Sequence, residues 1–277
     1  MKILCILYDD PTNGMPTSYP LEDLPKVEVY PDGMTLPSPQ GRDFNPGELL
    51  GCVSGELGLR KYLEEAGHTL VVTSDKDGDG CEADRELVDA DIVISQPFFP
   101  YYVTRSLMER APNLKMAITA GIGSDHVDLE AAMDHNIDVV EVTYCNSRSV
   151  AEHIVMQILV LVRDFTTQHA IVNDGGWHIA DAVSRSYDVE GMHVGTIAAG
   201  RIGIDMLRKM KPFDVHLHYF DKHRLSNQIE TELGLTYHES VESLVAHCDV
   251  INISCPLHPE TEHMFNDELI AKCKKGA

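Results

Sequence analysis

The sequence predicts an α/β protein made of two doubly wound parallel-sheet domains, and three observations carry that prediction. Short β-branched runs alternate with helix-like stretches between Gly55 and Ile118, a second alternation begins at His193, and a glycine-patterned turn from Ala198 to Gly203 joins a strand to a helix. Alternating α and β elements bury a parallel sheet under helices on both faces. The 277 residues suffice for two modest domains, expected at 1–146 and 147–277.

The N-terminus runs directly into Ile3 to Tyr8, shaped like a first strand and too short for a signal peptide. Eight of the fourteen prolines then fall between Tyr8 and Gly47, where no hydrophobic period can be followed. A long irregular arm is expected there, wrapping a domain or a partner subunit through Val27, Val29, Tyr30 and Phe44 because its backbone needs polar partners that regular structure does not provide, with disorder as the alternative. From Gly55, a helix through Leu59, Tyr62, Leu63 and Ala66 stops at Gly67 and leads to a strand at Thr69 to Thr73. Helices near Glu82 to Val88 and Thr104 to Arg110 alternate with strands at Ile92 to Ile94 and Leu114 to Ile118. The stretch Ser147 to Phe165 reads as one helix, apolar on more than one face, so it is expected between domains or between subunits. Strands follow near Val194 to Ile197, Val215 to Tyr219 and Val250 to Ile253.

The charge balance, 22 basic against 44 acidic residues, gives −22. That disfavours nonspecific nucleic-acid or anionic-membrane binding, which needs a basic face. An anionic ligand would have to be held by local donors such as helix N-termini and arginines. The longest apolar stretch, Ile154 to Val162, is about half of the ~20 residues that a membrane span requires. Seven cysteines form no C-x-x-C pair, so neither a disulfide framework nor a zinc site is expected, and a reducing cytosol is the default compartment. Cys145 and Cys255 are read as buried, inert thiols. His216 and His218 share one strand face, but no third metal ligand has helpful spacing, so no metal is expected.

The most informative stretch is His193 to Gly203, in which Ala198, Gly200 and Gly203 spell A-x-G-x-x-G, the Rossmann fingerprint with alanine in place of its first glycine. Gly200 would let the backbone approach a pyrophosphate, Gly203 would let helix and strand pack closely, and the helix N-terminus would offer its amides. The next strand ends in Asp221, 221 − 203 = 18 residues beyond the last glycine. That is near the ~20 expected of a carboxylate that binds the adenosine ribose. An acidic side chain there favours NAD over NADP. Lys222, His223 and Arg224 follow and would either attract the extra phosphate or form a plain basic turn, and Arg201 supplies positive charge at the phosphate turn.

On these residues the sequence resembles the NAD-dependent formate dehydrogenases, a branch of the D-2-hydroxyacid dehydrogenase family. The matching segments are Leu70 to Asp77, Gln96 to Pro100, Thr119 to Leu129, Glu141 to Ser147, Ala198 to Gly203 and Cys255 to Glu262. The resemblance implies two Rossmann-like domains, a homodimer built around the 147–165 helix, and oxidation of formate to CO2 with hydride transfer to NAD. It further implies that the Ile122 backbone amide and the Asn146 side-chain amide hold the formate carboxylate while Phe98 walls the pocket. Ser147, Gly200, Arg201, Ile202, Gly203, Asp221, Pro256, Leu257, His258, Pro259 and Glu260 would contact NAD. Formate carries no hydroxyl proton to remove, so general-base catalysis is not required.

Members of this family continue past the equivalent of Gly276-Ala277 into another Rossmann strand, a substrate-gripping arginine, a histidine paired with a glutamine, and a segment that returns to the first domain. The sequence is therefore expected to be a C-terminally truncated formate dehydrogenase whose second domain is incomplete. Another 2-hydroxyacid dehydrogenase, such as a glyoxylate or hydroxypyruvate reductase, is the alternative, with Asn146 and the proline-rich arm against it. A non-catalytic fragment that binds the cofactor is the second.

Overall fold

The computed structural model describes residues 1–7, 59–142 and 146–277. The expected proline-rich arm and Cys145 lie outside the described residues. The chain divides into two compact units, Met1–Val142 and Thr143–Ala277, against an expected boundary after residue 146.

In the first unit, β1 (Lys2–Ile6), β2 (Thr69–Thr73), β3 (Ile92–Ser95), β4 (Met116–Thr119) and β5 (Asp138–Glu141) form one parallel sheet in the order β2-β1-β3-β4-β5. Helices α1 (Leu59–Glu65), α2 (Glu82–Leu87), α3 (Arg105–Arg110) and α4 (Leu129–Asp134) make the crossovers. Side chains alternate along a strand, so Leu4, Ile6 and Val93 enter one core with Leu87, Val103 and Met108. Ile3 and Cys5 point to the other face, with Leu70 and Leu63. α4 starts where the Asp128 carboxylate accepts the Ala131 amide at 2.9 Å, an N-cap. β5 was not among the expected strands: it is a four-residue edge with a carboxylate at each end.

In the second unit, the single helix expected over 147–165 is two. α5 (Ser147–Val162) stops, Asp164 takes a left-handed φ of 50°, and α6 (Phe165–Asn173) begins after it, followed by α7 (Ile179–Arg185). The break is held by the Asp164 carboxylate, which accepts from the Thr167 hydroxyl at 2.7 Å and the Gln168 amide at 3.2 Å and faces Arg185 at 3.4 Å. Apolar periodicity runs through this break unchanged, which is why it does not announce itself. Burial is also narrower than expected. Ala151 and Ile158 are buried in α5, whereas Leu161, Phe165, Trp177, Ile179 and Val183 are exposed along α5 to α7.

The second sheet has the order β8-β7-β6-β9, all parallel, from β6 (His193–Ile197), β7 (His216–Phe220), β8 (Thr236–Tyr237) and β9 (Val250–Ile253). α8 (Arg201–Met210) links β6 to β7, α9 (Asn227–Leu233) leads to β8, and α10 (Val241–His247) leads to β9, with α11 (Asp267–Ile270) beyond. Val194, Leu217 and Tyr219 face α5 and α8, packing with Met206, Leu207 and Met210. Ile197 faces Leu244, Val245 and Cys248 of the α10 region. β6 is the point at which strand order reverses, and in such sheets ligands bind beyond the carboxyl ends of the strands flanking that point.

Candidate functional site

The turn after β6 is built around two glycines with different tasks. A Cβ on Gly203 would lie 2.4 Å from the Ala198 carbonyl oxygen, so only glycine lets α8 come this close to the strand end. A Cβ on Gly200 would meet nothing within 4 Å; its flank is open to a ligand. Ala198, at the fingerprint's first glycine position, holds φ 70°, a left-handed conformation that costs an L-residue roughly 1–2 kcal/mol. Arg201 is the first residue of α8 and is exposed, Ile202 follows it half-buried, and the first-turn N–H groups of this ten-residue helix have no intrahelical acceptor and no side-chain cap from Gly200.

Asp221 stands at the end of β7 and reaches back to this turn. Its Oδ2 accepts the Ala199 N–H at 2.8 Å and its Oδ1 accepts the His223 N–H at 2.9 Å. The carboxylate therefore fixes both loops while lining a cavity of about 520 Å³. Ile197, Ala198 and Phe220 line the same cavity, as do Pro256, His258 and Glu260 from the loop after β9, with Val241 and Met264 supplying apolar walls. That loop is braced internally: Thr261 donates its hydroxyl to the Pro256 carbonyl at 2.6 Å and accepts the His258 amide at 2.9 Å. An apolar wall with a few polar groups at one end suits a ring-bearing nucleotide.

The basic turn beside Asp221 is largely neutralised. Lys222 is ion-paired with Glu260, and Arg224 forms a two-pronged pair with Glu230 at 2.9 and 3.1 Å while lying over the Tyr237 ring. Neither cation stands as an uncommitted partner for a 2′-phosphate. Cys248, under β6, is buried, and burial pushes its thiol up to about 12; it is inert at neutral pH. Cys255, expected to be buried, instead lines the cavity and is only half-buried, because it sits on the loop that leaves β9.

Not every residue expected at the site lines this cavity. Leu257 is exposed and Pro259 sits at the loop surface. Ser147 opens α5, directly after Asn146, whose side-chain Oδ1 is buried with no hydrogen-bond partner among the described residues.

In the first unit, the loops after β3 and β4 meet at the carboxyl edge of the sheet. A Cβ on Gly121 would lie 2.8 Å from Cγ of Pro97 and 3.6 Å from the Phe98 ring, so the glycine is what allows the two loops to touch. Gln96 ties the first loop down by donating to the Ile6 carbonyl at 3.1 Å, and the Ala120 amide ties the second to the Ser95 carbonyl at 2.7 Å. Phe98 and Ile122 stand on these two joined loops, both exposed.

The wall residues Val241 and Met264 and the Asp221–Ala199 clamp were not expected from the sequence. They come from elements far apart in the chain, and only the strand order of the sheet could have pointed to them.

Comparison with known proteins agrees with this architecture. Residues 155–277 match the NAD binding domain of the D-isomer specific 2-hydroxyacid dehydrogenases. The whole chain is 62% identical over 276 residues to a formate dehydrogenase of Pseudomonas sp. strain 101 and spans 69% of its length. Among solved structures, a formate dehydrogenase of Granulicella is 59% identical with a TM-score of 0.86, over 99% of this chain and 73% of that one. An NAD-dependent formate dehydrogenase of Staphylococcus aureus, solved with NAD, is 33% identical with a TM-score of 0.73, over 99% of this chain and 71% of that one.

Proposed function

The chain belongs to the formate dehydrogenase family of D-2-hydroxyacid dehydrogenases, and from that premise we propose that it binds NAD on its second unit and oxidises formate to CO2. The observation that carries the NAD reading is the turn itself: Gly203 closed against the Ala198 carbonyl, Gly200 open, and Asp221 clamping Ala199. These residues fit a dinucleotide, with backbone amides for the pyrophosphate and a carboxylate for the ribose. Arg201 would add the local positive charge that a chain of net charge −22 otherwise lacks. Ile202, Pro256, His258 and Glu260 would complete the contact, with Ser147, Leu257 and Pro259 at its margin.

When bound, NAD accepts the hydride. What remains for the protein is to hold a small carboxylate and exclude water. The Ile122 backbone amide and the Asn146 side-chain amide, each through an N–H, would hold the carboxylate, and Phe98 would wall the pocket. Orientation of the C–H bond is then the main contribution required, since no proton has to be removed.

Titration calorimetry tests the cofactor reading. NAD should bind at least about tenfold more tightly than NADP, and equal affinities would overturn it. Formate-dependent NADH formation, compared with reduction of glyoxylate and hydroxypyruvate, tests the substrate: faster reduction of either keto acid would move the chain to the other branch of its family.

The exposed apolar side chains of α5 to α7, Leu161, Phe165, Trp177, Ile179 and Val183, support a homodimer formed through this region. Sedimentation should give a dimer, and Leu161→Asp should give monomers. A cytoplasmic setting is supported by the buried free thiols of Cys5, Cys81 and Cys248, and cell fractionation would check it.

A further inference from the structure

A cluster of imidazoles lies at the amino ends of β6 and β7, across the sheet from the carboxyl-end cavity. The parallel register pairs His193 with His216 and Gly195 with His218, so these side chains share one face. Gly195 leaves that face bare: a Cβ there would come within 2.5 Å of Cys248 Sγ and 3.0 Å of Leu244. α10 therefore packs directly on the strand and brings His247, its last residue, over the pair. The His247 ring lies 4.6 Å from that of His193 and 4.8 Å from that of His218. Of the two histidines on one strand that local spacing reveals, His218 thus gains His193 through register and His247 through a glycine-permitted helix contact, while His216 is not one of the three.

We infer that His193, His218 and His247 form a binding site for a divalent transition-metal ion of the imidazole-preferring class, with Zn2+ as its representative. One ligand nitrogen from each lies within 4.8 Å of the others. Tetrahedral coordination at ~2.0–2.1 Å places ligand nitrogens roughly 3.4 Å apart, so the exposed His247 ring has to swing inward and the hydrogen-bonded His193–His218 pair, 2.8 Å apart, has to open slightly. His218 is buried, His193 half-buried and His247 exposed, so the ion has both an anchor and an entry path.

A supporting shell already orients the buried ligand. His218 Nδ1 lies 3.0 Å from His238 Nε2, and His238 Nδ1 lies 2.9 Å from Ser243 Oγ. In the tautomer in which each Nδ1–H donates along this chain, the His218 Nε2 lone pair accepts from His193 Nδ1 at 2.8 Å, and a bound ion would take the place of that shared proton. Fixing a ligating imidazole through its other nitrogen is how outer-shell partners tune metal sites. The nearby Lys274 ammonium is paired with Asp249 at 2.7 Å, and Asp249 in turn accepts the His193 backbone N–H at 2.8 Å, so the local charge is balanced.

The full chain, treated with chelator and then dialysed free of it, should be titrated with Zn2+ alone by calorimetry. One ion per chain should bind at micromolar or lower concentration, and Co2+ in its place should give the visible absorption of a tetrahedral site. His247→Gln, at an exposed position, should weaken Zn2+ at least tenfold while leaving NAD affinity unchanged. His218→Gln should abolish binding, with circular dichroism used to check its fold. His169→Gln, on the exposed face of α6, should bind as wild type does. No stoichiometric binding at about 100 µM Zn2+, or equal affinity in wild type and His247→Gln, would overturn the inference.

Discussion

The Asp221 carboxylate accepts the backbone N–H of Ala199 across 2.8 Å, joining the end of one central strand to the turn that follows its neighbour. The residue that would read the ribose is therefore also a brace of the phosphate turn. Asp221→Ala should lower unfolding stability by about 2 kcal/mol, the scale of charge-assisted hydrogen bonds, and reduce the NAD:NADP affinity ratio at least about tenfold. Asp221→Asn keeps one acceptor and should lose roughly half that stability. Urea unfolding and cofactor titration check both, and an unchanged affinity ratio would deny Asp221 its role in selecting the cofactor.

The two glycines of the turn should separate under substitution. Gly203→Ala drives a Cβ into a backbone carbonyl at 2.4 Å and should cost about 3 kcal/mol of stability, the upper range for overpacking. Gly200→Ala meets open space and should leave stability within about 0.5 kcal/mol while weakening NAD at least tenfold. Equal loss of stability in the two variants would contradict this division.

Ala198 holds a left-handed backbone without being glycine. Ala198→Gly removes a conformational cost of roughly 1–2 kcal/mol and restores about 0.4–1 kcal/mol of unfolded-chain freedom. A net gain of about 0.5 kcal/mol is expected by thermal or urea unfolding. Destabilisation by more than that amount would mean that the alanine methyl packs usefully in the turn.

His126 is buried in the first unit with neither ring nitrogen hydrogen-bonded among the described residues. Burial lowers its pKa, only partly opposed by Asp125 and Glu141. A depressed histidine pKa means that the unfolded chain takes up the proton first. The stability tied to neutral His126 is thus fully present above about pH 6.5 and is lost as pH falls towards the lowered folded value, at up to about 1.4 kcal/mol per pH unit. His126→Phe should flatten that slope in urea titrations between about pH 7.5 and 5, and parallel slopes would sink the assignment.

Much of this was legible in the sequence where the requirement is local. Gly203 and the strand runs each answer to sterics within a few residues, whereas Gly121 answers to Pro97 on another loop, which no local pattern shows. The break at Asp164 was not legible, because apolar periodicity crosses it and the hydrogen bonds that hold it come from Thr167 and Gln168 acting on a left-handed residue. Nor was the third imidazole: His193, His218 and His247 sit on three elements, and only strand register and the bare face of Gly195 bring them together. The family resemblance implies Leu257 and Pro259 as cofactor contacts together with their neighbours; the turn braced by Thr261 puts Pro256, His258 and Glu260 at the cavity wall, with Leu257 and Pro259 exposed beside it.

The chain's single tryptophan, Trp177, lies on the open apolar stretch between α6 and α7, 79% exposed. Its indole is an intrinsic optical probe of that surface. A separated subunit should emit with the red-shifted maximum of a hydrated indole, and association over this stretch should move the emission to shorter wavelength. Dilution followed by fluorescence would then read the assembly equilibrium without any label.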